Sequence, residues 1–139
     1  MIILRVDSTT LYSQATGQSI HAQSSGEAEF YAMVSAASAG LAVRHVLEWL
    51  DFEVELEVES DSSAARAVAQ RLGVGKIRHL EVKTLWIQDL VAKAVLSIAP
   101  VRSQNNIADI GTKCLARQRI DYLKKLLGVR TLTEIAEAH

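Results

Sequence analysis

The segment that most restricts the fold of this chain is "FEVELEVES", the nine residues 52–60. Its apolar residues Val54, Leu56 and Val58 alternate strictly with glutamates. Successive side chains of a β-strand point to opposite faces, so the pattern predicts a strand with one buried face and one charged face. A strand needs partners and a covering layer, so the remaining sequence must supply a sheet and the elements that pack on it.

Helical patterns flank this strand on both sides. Apolar residues recur near a period of 3.6 over 26–50, which predicts a long helix; they are Phe30, Met33, Val34, Ala37, Leu41, Val46 and Leu50. Residues 62–73 and 79–94 predict two further helices, and "VLSIAPV" predicts a strand that stops at Pro100. "IADIGTKCL" and "RQRIDYLKKLLG" read as helical, and residues 131–139 could add a last turn. Alternation of strands and helices predicts an α/β fold, with a mixed sheet flanked by helices.

Composition and charge exclude several classes of protein. The chain has 139 residues, which fits a single domain over 1–139. It has no run of eighteen apolar residues and no signal peptide, so we expect an intracellular protein, in the cytoplasm or nucleus, with no membrane partner. Cys114 is the only cysteine, which excludes an internal disulfide. A net charge of −1 argues against bulk capture of nucleic acid but allows a local basic face.

Three single residues carry packing expectations. Trp49 and Trp86 lie on apolar helix faces and are expected in the core rather than as stacking platforms for bases. Cys114 is expected to pack as a small apolar residue.

Three carboxylates stand where chemistry is often found. Glu29 lies in the first turns of the long helix, Asp61 follows the alternating strand, and Asp109 begins a helix after a polar loop. Each has an ordinary structural explanation, because acids favour helix starts by ~0.3–1 kcal/mol. Brought together by folding, however, they would repel one another, and oxygen-only ligands suit Mg²⁺ or Mn²⁺.

Four segments resemble the ribonuclease H domain of copia-type retrotransposon polyproteins. They occur in the family's order and cover about 18–115; they are "QSIHAQSSGEAEFYAMV", "VESDSSAARAVA", "GKIRHLEVKTLWIQDLV" and "VRSQNNIADIGTKCL". The resemblance implies a five-stranded mixed sheet with helices on its faces, and residues 116–139 form a C-terminal helical extension beyond it. It also implies hydrolysis of the RNA strand of an RNA–DNA hybrid with two metal ions.

The resemblance assigns the catalytic and metal-binding roles to Glu29, Asp61 and Asp109, with Mg²⁺ or Mn²⁺ as the cofactor. It also separates the two glutamates of "SSGEAEF". Residues two apart on a helix point ~200° apart, so Glu27 and Glu29 cannot both face one metal. Ser24 and Glu27 have the spacing of a capping box, so we assign Glu27 to the helix cap and Glu29 to the metal.

The chain departs from the family at its N-terminus, where the family carries its first catalytic aspartate. Asp7 is the only acid before Glu27, and it is too close to Glu29 for a simple alignment. Either 2–23 holds three shortened strands (Ile2–Asp7, Thr10–Ser13 and Gln18–Gln23), with Asp7 as a substitute ligand, or the first strands are missing. We favour the second interpretation, which would leave an exposed sheet edge where a second copy or a partner chain could pair.

Basic residues suggest where a nucleic acid would bind. Lys76, Arg78 and His79 lie together at a predicted helix start, near Lys83, and Lys113 falls on a family motif. The leading hypothesis is a metal-dependent endoribonuclease of the ribonuclease H type. The alternative is a catalytically impaired or domesticated module of the same fold that binds nucleic acid or protein. A third hypothesis is another α/β phosphotransfer fold with Asp61 as the acceptor.

Overall fold

The computed structural model describes residues 1–15, 24–71 and 81–129. These residues form four α-helices and two two-stranded sheets, which confirms a mixed α/β architecture. In chain order the elements are β1 (Ile2–Val6), β2 (Thr9–Gln14), α1 (Ser25–Trp49), β3 (Glu57–Ser60), α2 (Ser63–Gln70), α3 (Glu81–Ala92), β4 (Ser97–Pro100) and α4 (Arg117–Leu127). Short 3₁₀ helices lie at Ser103–Asn105 and Ile107–Gly111. The chain divides into two compact units, Gly17–Ser103 and Met1–Thr16 with Gln104–His139.

The unit Gly17–Ser103 is built on a parallel strand pair. β3 and β4 run parallel in the register Val58 to Ile98, and α2 and α3 connect them. The alternating pattern is confirmed, because Val58 is buried, Val54 and Leu56 are half-buried, and the glutamates between them are exposed. The regular strand is shorter than predicted, although the Ser97 N–H still donates to the Leu56 carbonyl at 2.9 Å.

The core of this unit lies between the strand pair and its three helices. The buried side chains are mostly small or branched, as expected where aromatic residues make up only 5% of the chain; they are Phe30, Met33, Ala37, Val58, Ala65, Ala69, Ile87, Leu96 and Ile98. Two side-chain amides tie the layers together. Gln70 donates to the Ile98 carbonyl at 3.1 Å, and Gln88 donates to the Val68 carbonyl at 2.8 Å.

The first half of α1 packs against this core and the second half does not. Gly40 lies close to Leu56, the residue before β3. A Cβ atom added at Gly40 would stand 2.6 Å from Leu56 Cδ1. No residue of α1 beyond Gly40 is fully buried, and the side chains of Val46 and Trp49 in its last turns are exposed. The prediction that Val46, Leu50 and Trp49 face the core is therefore wrong, and Trp49 is 81% exposed. Trp86 is half-buried against the core, which confirms its predicted packing.

By length and mean hydropathy (1.3), α1 also meets the criterion for a membrane-spanning helix. The core helix of a globular protein passes the same test, and the inward face of α1 packs on β3 and α2. The predicted intracellular location stays a prediction.

The second unit combines the N-terminal hairpin with the C-terminal helix. β1 and β2 are antiparallel, and the Thr10 hydroxyl donates to the Leu127 carbonyl of α4 at 3.0 Å. α4 buries Leu123 completely and ends at Gly128, whose φ of 76° lies in the left-handed region that glycine adopts without strain. Cys114 is exposed, contrary to prediction, because the helix expected to carry it stops as a 3₁₀ turn at Gly111.

The hairpin bears on the two interpretations of the N-terminus. Two of the three shortened strands are present, with β1 and β2 close to their predicted bounds, and the third (Gln18–Gln23) lies outside the described residues. Asp7 is the first residue of the two-residue turn that joins them, exposed and with φ 51°. Among the described strands, β3 pairs only with β4, so the predicted pairing of its free edge with another chain stays a prediction.

Candidate functional site

The glutamate doublet at the start of α1 divides into one buried and one exposed side chain. The Ser24 hydroxyl accepts a hydrogen bond from the Glu27 N–H at 3.2 Å, which confirms Ser24 as the helix cap. Glu27 is buried (8% exposed) and accepts a hydrogen bond from the Tyr31 hydroxyl one turn later. Glu29 is exposed. The predicted opposition of the two side chains is thus present, with Glu29 the one open to solvent.

Asp61 lies directly beyond the carboxyl end of β3, as predicted. Its Oδ2 accepts a hydrogen bond from the Ser103 hydroxyl at 3.4 Å, and Ser103 follows β4. Because β3 and β4 are parallel, the loops after both strands leave the same edge of the sheet, where ligands of such sheets commonly bind. Sequence reasoning did not identify Ser103, although the parallel pairing of the two strands could have indicated it.

Helix α1, which carries Glu29, and helix α2, which begins two residues after Asp61, touch at their first turns. Ser62 caps α2, accepting from the Ala65 N–H at 3.2 Å. Two residues beyond the α2 cap, Ala64 lies so near Gly26 that a Cβ on the glycine would stand 3.3 Å from the Ala64 Cβ. The glycine of "SSGEAEF" therefore permits close contact between the α1 and α2 starts.

Asp109 occupies a different environment in the other unit. It is buried (6% exposed) in the 3₁₀ helix Ile107–Gly111, and its carboxylate pairs with Lys113 Nζ at 2.8 Å. Asn106 caps this turn by accepting a hydrogen bond from the Ala108 N–H at 3.2 Å. Lys113, predicted to contact nucleic acid, thus neutralises Asp109.

The basic residues proposed to contact a phosphate backbone are mostly outside the described part of the chain. Lys76, Arg78 and His79 fall there. Lys83, the neighbour of that group, is exposed at the start of α3, and its Nζ lies 4.5 Å from the centre of the Tyr31 ring. This cation–π contact joins α3 to the first turns of α1, next to the helix start that carries the glutamates.

Tyr31 should give the site a distinct response to alkaline pH. Partial removal from water, followed by the charge and hydrogen bond of Glu27, raises the pKa of Tyr31 above its usual 10.0. Unfolded tyrosine ionises near pH 10, so above that pH the unfolded chain releases a proton that the native state retains. The free energy of unfolding should therefore fall as the pH rises past 10.

Thermal unfolding of the native sequence and of Tyr31→Phe between pH 8 and about 11 tests this expectation. Phenylalanine keeps the ring beneath Lys83 and removes the ionising group. The variant should lose less stability across this range, and parallel losses in the two proteins would contradict it.

The donor set of the three assigned acids fits a hard divalent cation. Glu29, Asp61 and Asp109 offer only carboxylate oxygens, which Mg²⁺ and Mn²⁺ prefer. Within 1–15, 24–71 and 81–129, no three Asp, Glu, His or Cys side chains group closely enough to hold a metal ion. The metal assignment stays a prediction, carried by the sequence motifs and the contact between α1 and α2.

Sequence comparison relates part of a transposon polyprotein to this chain. The chain is 25% identical over 120 residues to the retrovirus-related Pol polyprotein from transposon TNT 1-94 of Nicotiana tabacum. The aligned region covers 85% of this chain and 9% of the polyprotein, so the chain spans less than a tenth of the length of that relative. No protein-family model and no solved structure matches the chain. The similarity supports a retrotransposon origin for the chain.

Proposed function

We propose that the chain is a ribonuclease H-like domain that hydrolyses the RNA strand of RNA–DNA hybrids with Mg²⁺ or Mn²⁺. The observation that carries the proposal is the contact between the starts of α1, which bears Glu29, and α2, which Asp61 precedes by two residues. The order of the four family motifs and the similarity to a transposon Pol polyprotein support it.

Under this proposal, separate groups of residues bind the metal, orient a ligand and bind the nucleic-acid backbone. Glu29, Asp61 and Asp109 would hold the metal, which when bound lowers the pKa of a water and stabilises charge on the phosphate by several kcal/mol. Ser103 orients the Asp61 carboxylate by its hydrogen bond. Lys83 and the neighbouring basic residues Lys76, Arg78 and His79 would bind the hybrid backbone.

Cleavage of an end-labelled RNA–DNA hybrid tests this proposal. Asp61→Asn removes one carboxylate charge while keeping the side-chain shape, so cleavage with Mg²⁺ or Mn²⁺ should fall by about 10³-fold, equivalent to about 4 kcal/mol of transition-state stabilisation. Asp121→Asn, the same change on the exposed surface of α4, is the matched control and should cleave normally. Equal cleavage by Asp61→Asn and the native sequence would contradict the proposal.

A second candidate function is a non-catalytic module of the same fold that binds nucleic acid or protein. The Asp109–Lys113 ion pair favours it, because a carboxylate already neutralised by a lysine needs no cation. Hybrid binding without cleavage by the folded native chain, and no rise in melting temperature with Mn²⁺, would favour this candidate over the enzyme.

A further inference from the structure

The end of α1 exposes a cluster of apolar side chains. Trp49 is 81% exposed, Phe52 58%, Val46 57% and Leu50 49%. Val46, Trp49 and Leu50 have the spacing i, i+3 and i+4, which places them on one side of the helix. Exposed aromatic groups gathered this way in a chain poor in aromatic residues are typical of an interaction surface. We name these four residues the helix-end patch.

An acidic cavity adjoins this patch. Its volume is about 390 Å³, and its lining residues are Arg44, Glu48, Asp51, Phe52, Glu53 and Val54. The Arg44 guanidinium is already engaged, with Nε 2.6 Å from Glu48 Oε1 and Nη1 2.7 Å from the Val95 carbonyl. Neither Asp51 nor Glu53 forms an ion pair with any described residue, so the cavity carries net negative charge.

The stability of α1 does not explain these acids. A helix C-terminus carries the negative end of the dipole and favours cations, yet the last turn of α1 contains no basic residue. Asp51, which follows that terminus, has φ 63°, a left-handed conformation that aspartate tolerates better than most residues, so its backbone suits the turn while its charge opposes the dipole. Carboxylates and the helix dipole thus concentrate negative potential beside exposed aromatic side chains.

We infer that the helix-end patch and its cavity form a docking surface for a basic, apolar peptide segment of a partner protein. An arginine or lysine of the segment enters the cavity against Asp51 and Glu53, and an apolar residue packs on Trp49 and Phe52. Charge complementarity selects this partner, since nucleic acid and anionic membrane surfaces would be repelled. Trp49 is the residue type that most often dominates the energy of such interfaces.

Calorimetric titration of the full chain tests the inference. The probe is a capped synthetic peptide of leucine and arginine at helical spacing. It should bind saturably, and the double variant Asp51→Asn/Glu53→Gln should weaken binding about tenfold by removing both charges. Trp49→Ala should weaken it by at least about thirtyfold. The matched control, Asp121→Asn/Glu59→Gln, removes two exposed carboxylates elsewhere and should bind as tightly as the native sequence.

Three results would overturn the inference. One is equal binding of a peptide in which glutamate replaces arginine. The second is equal loss of binding in the control double variant, because the response would then follow total charge. The third is a dimer, detected by sedimentation, that Trp49→Ala dissociates, since the patch would then belong to a second copy. The inference does not depend on hybrid cleavage, which the Asp51→Asn/Glu53→Gln variant should retain.

Discussion

Glu29→Gln should lower hybrid cleavage by about 10³-fold and leave the fold intact. The side chain is exposed, so the substitution removes no buried contact. Under the proposed function it removes one of the metal-binding carboxylates, and loss of about 4 kcal/mol of transition-state stabilisation corresponds to that factor. Single-turnover cleavage of a labelled hybrid, with unfolding by urea measured on the same preparation, gives both quantities.

Glu27→Ala is the matched comparison on the same helix. Glu27 is buried and accepts from Tyr31, so its removal should lower the free energy of unfolding by about 1–3 kcal/mol. Cleavage per folded molecule should stay near the native value. The two variants thus separate an effect on cleavage, expected at Glu29, from an effect on stability, expected at Glu27. If Glu27→Ala abolished cleavage while Glu29→Gln did not, the assignment of the doublet would be reversed.

Phe30→Ala should have the largest effect on stability, lowering the free energy of unfolding by about 3–5 kcal/mol. Phe30 is 1% exposed and lies in the core formed by α1, β3, α2 and α3. The residues around it belong to several elements, so they cannot all collapse into the cavity left by the ring. Since domains of this size have total stabilities of about 5–15 kcal/mol, the variant should be close to unfolding.

Phe52→Ala provides the control, because Phe52 is the other phenylalanine of the chain and is 58% exposed. Its truncation should cost less than about 1 kcal/mol, as surface changes usually do. Urea denaturation followed by circular dichroism measures both variants. Similar losses at the two positions would mean that the core does not lie where the structure places it.

Local patterns predicted the elements well where one physical rule dominated. Strict alternation over 53–59 identified β3 and its buried face, since the side-chain period of a strand is two. Ser24 was recognisable as a cap because a short polar side chain can satisfy the first N–H groups of a helix. Residue order alone was sufficient for these features.

Burial could not be read the same way, because it depends on which element lies opposite. Trp49 continues the apolar period of α1, yet it is 81% exposed, because no described element packs on the side of the helix that carries Val46 and Trp49. The prediction that Cys114 is buried was wrong for a related reason. The 3₁₀ helix that Asn106 caps ends at Gly111, so Cys114 lies beyond it rather than on a packed helix. Periodicity indicates which residues share a face but not whether that face has a neighbour.

For the candidate site, the amino-acid order alone established the acids, the helix cap and the family motifs, all of which depend on short-range spacing. Three-dimensional folding supplied the rest. It buried Glu27 and exposed Glu29, and it brought the Ser103 hydroxyl within hydrogen-bond distance of Asp61. It also placed Phe52 of the helix-end patch in the lining of an acidic cavity. The Ser103–Asp61 contact joins residues 42 positions apart, and burial depends on which elements pack together, so no local pattern records these energies.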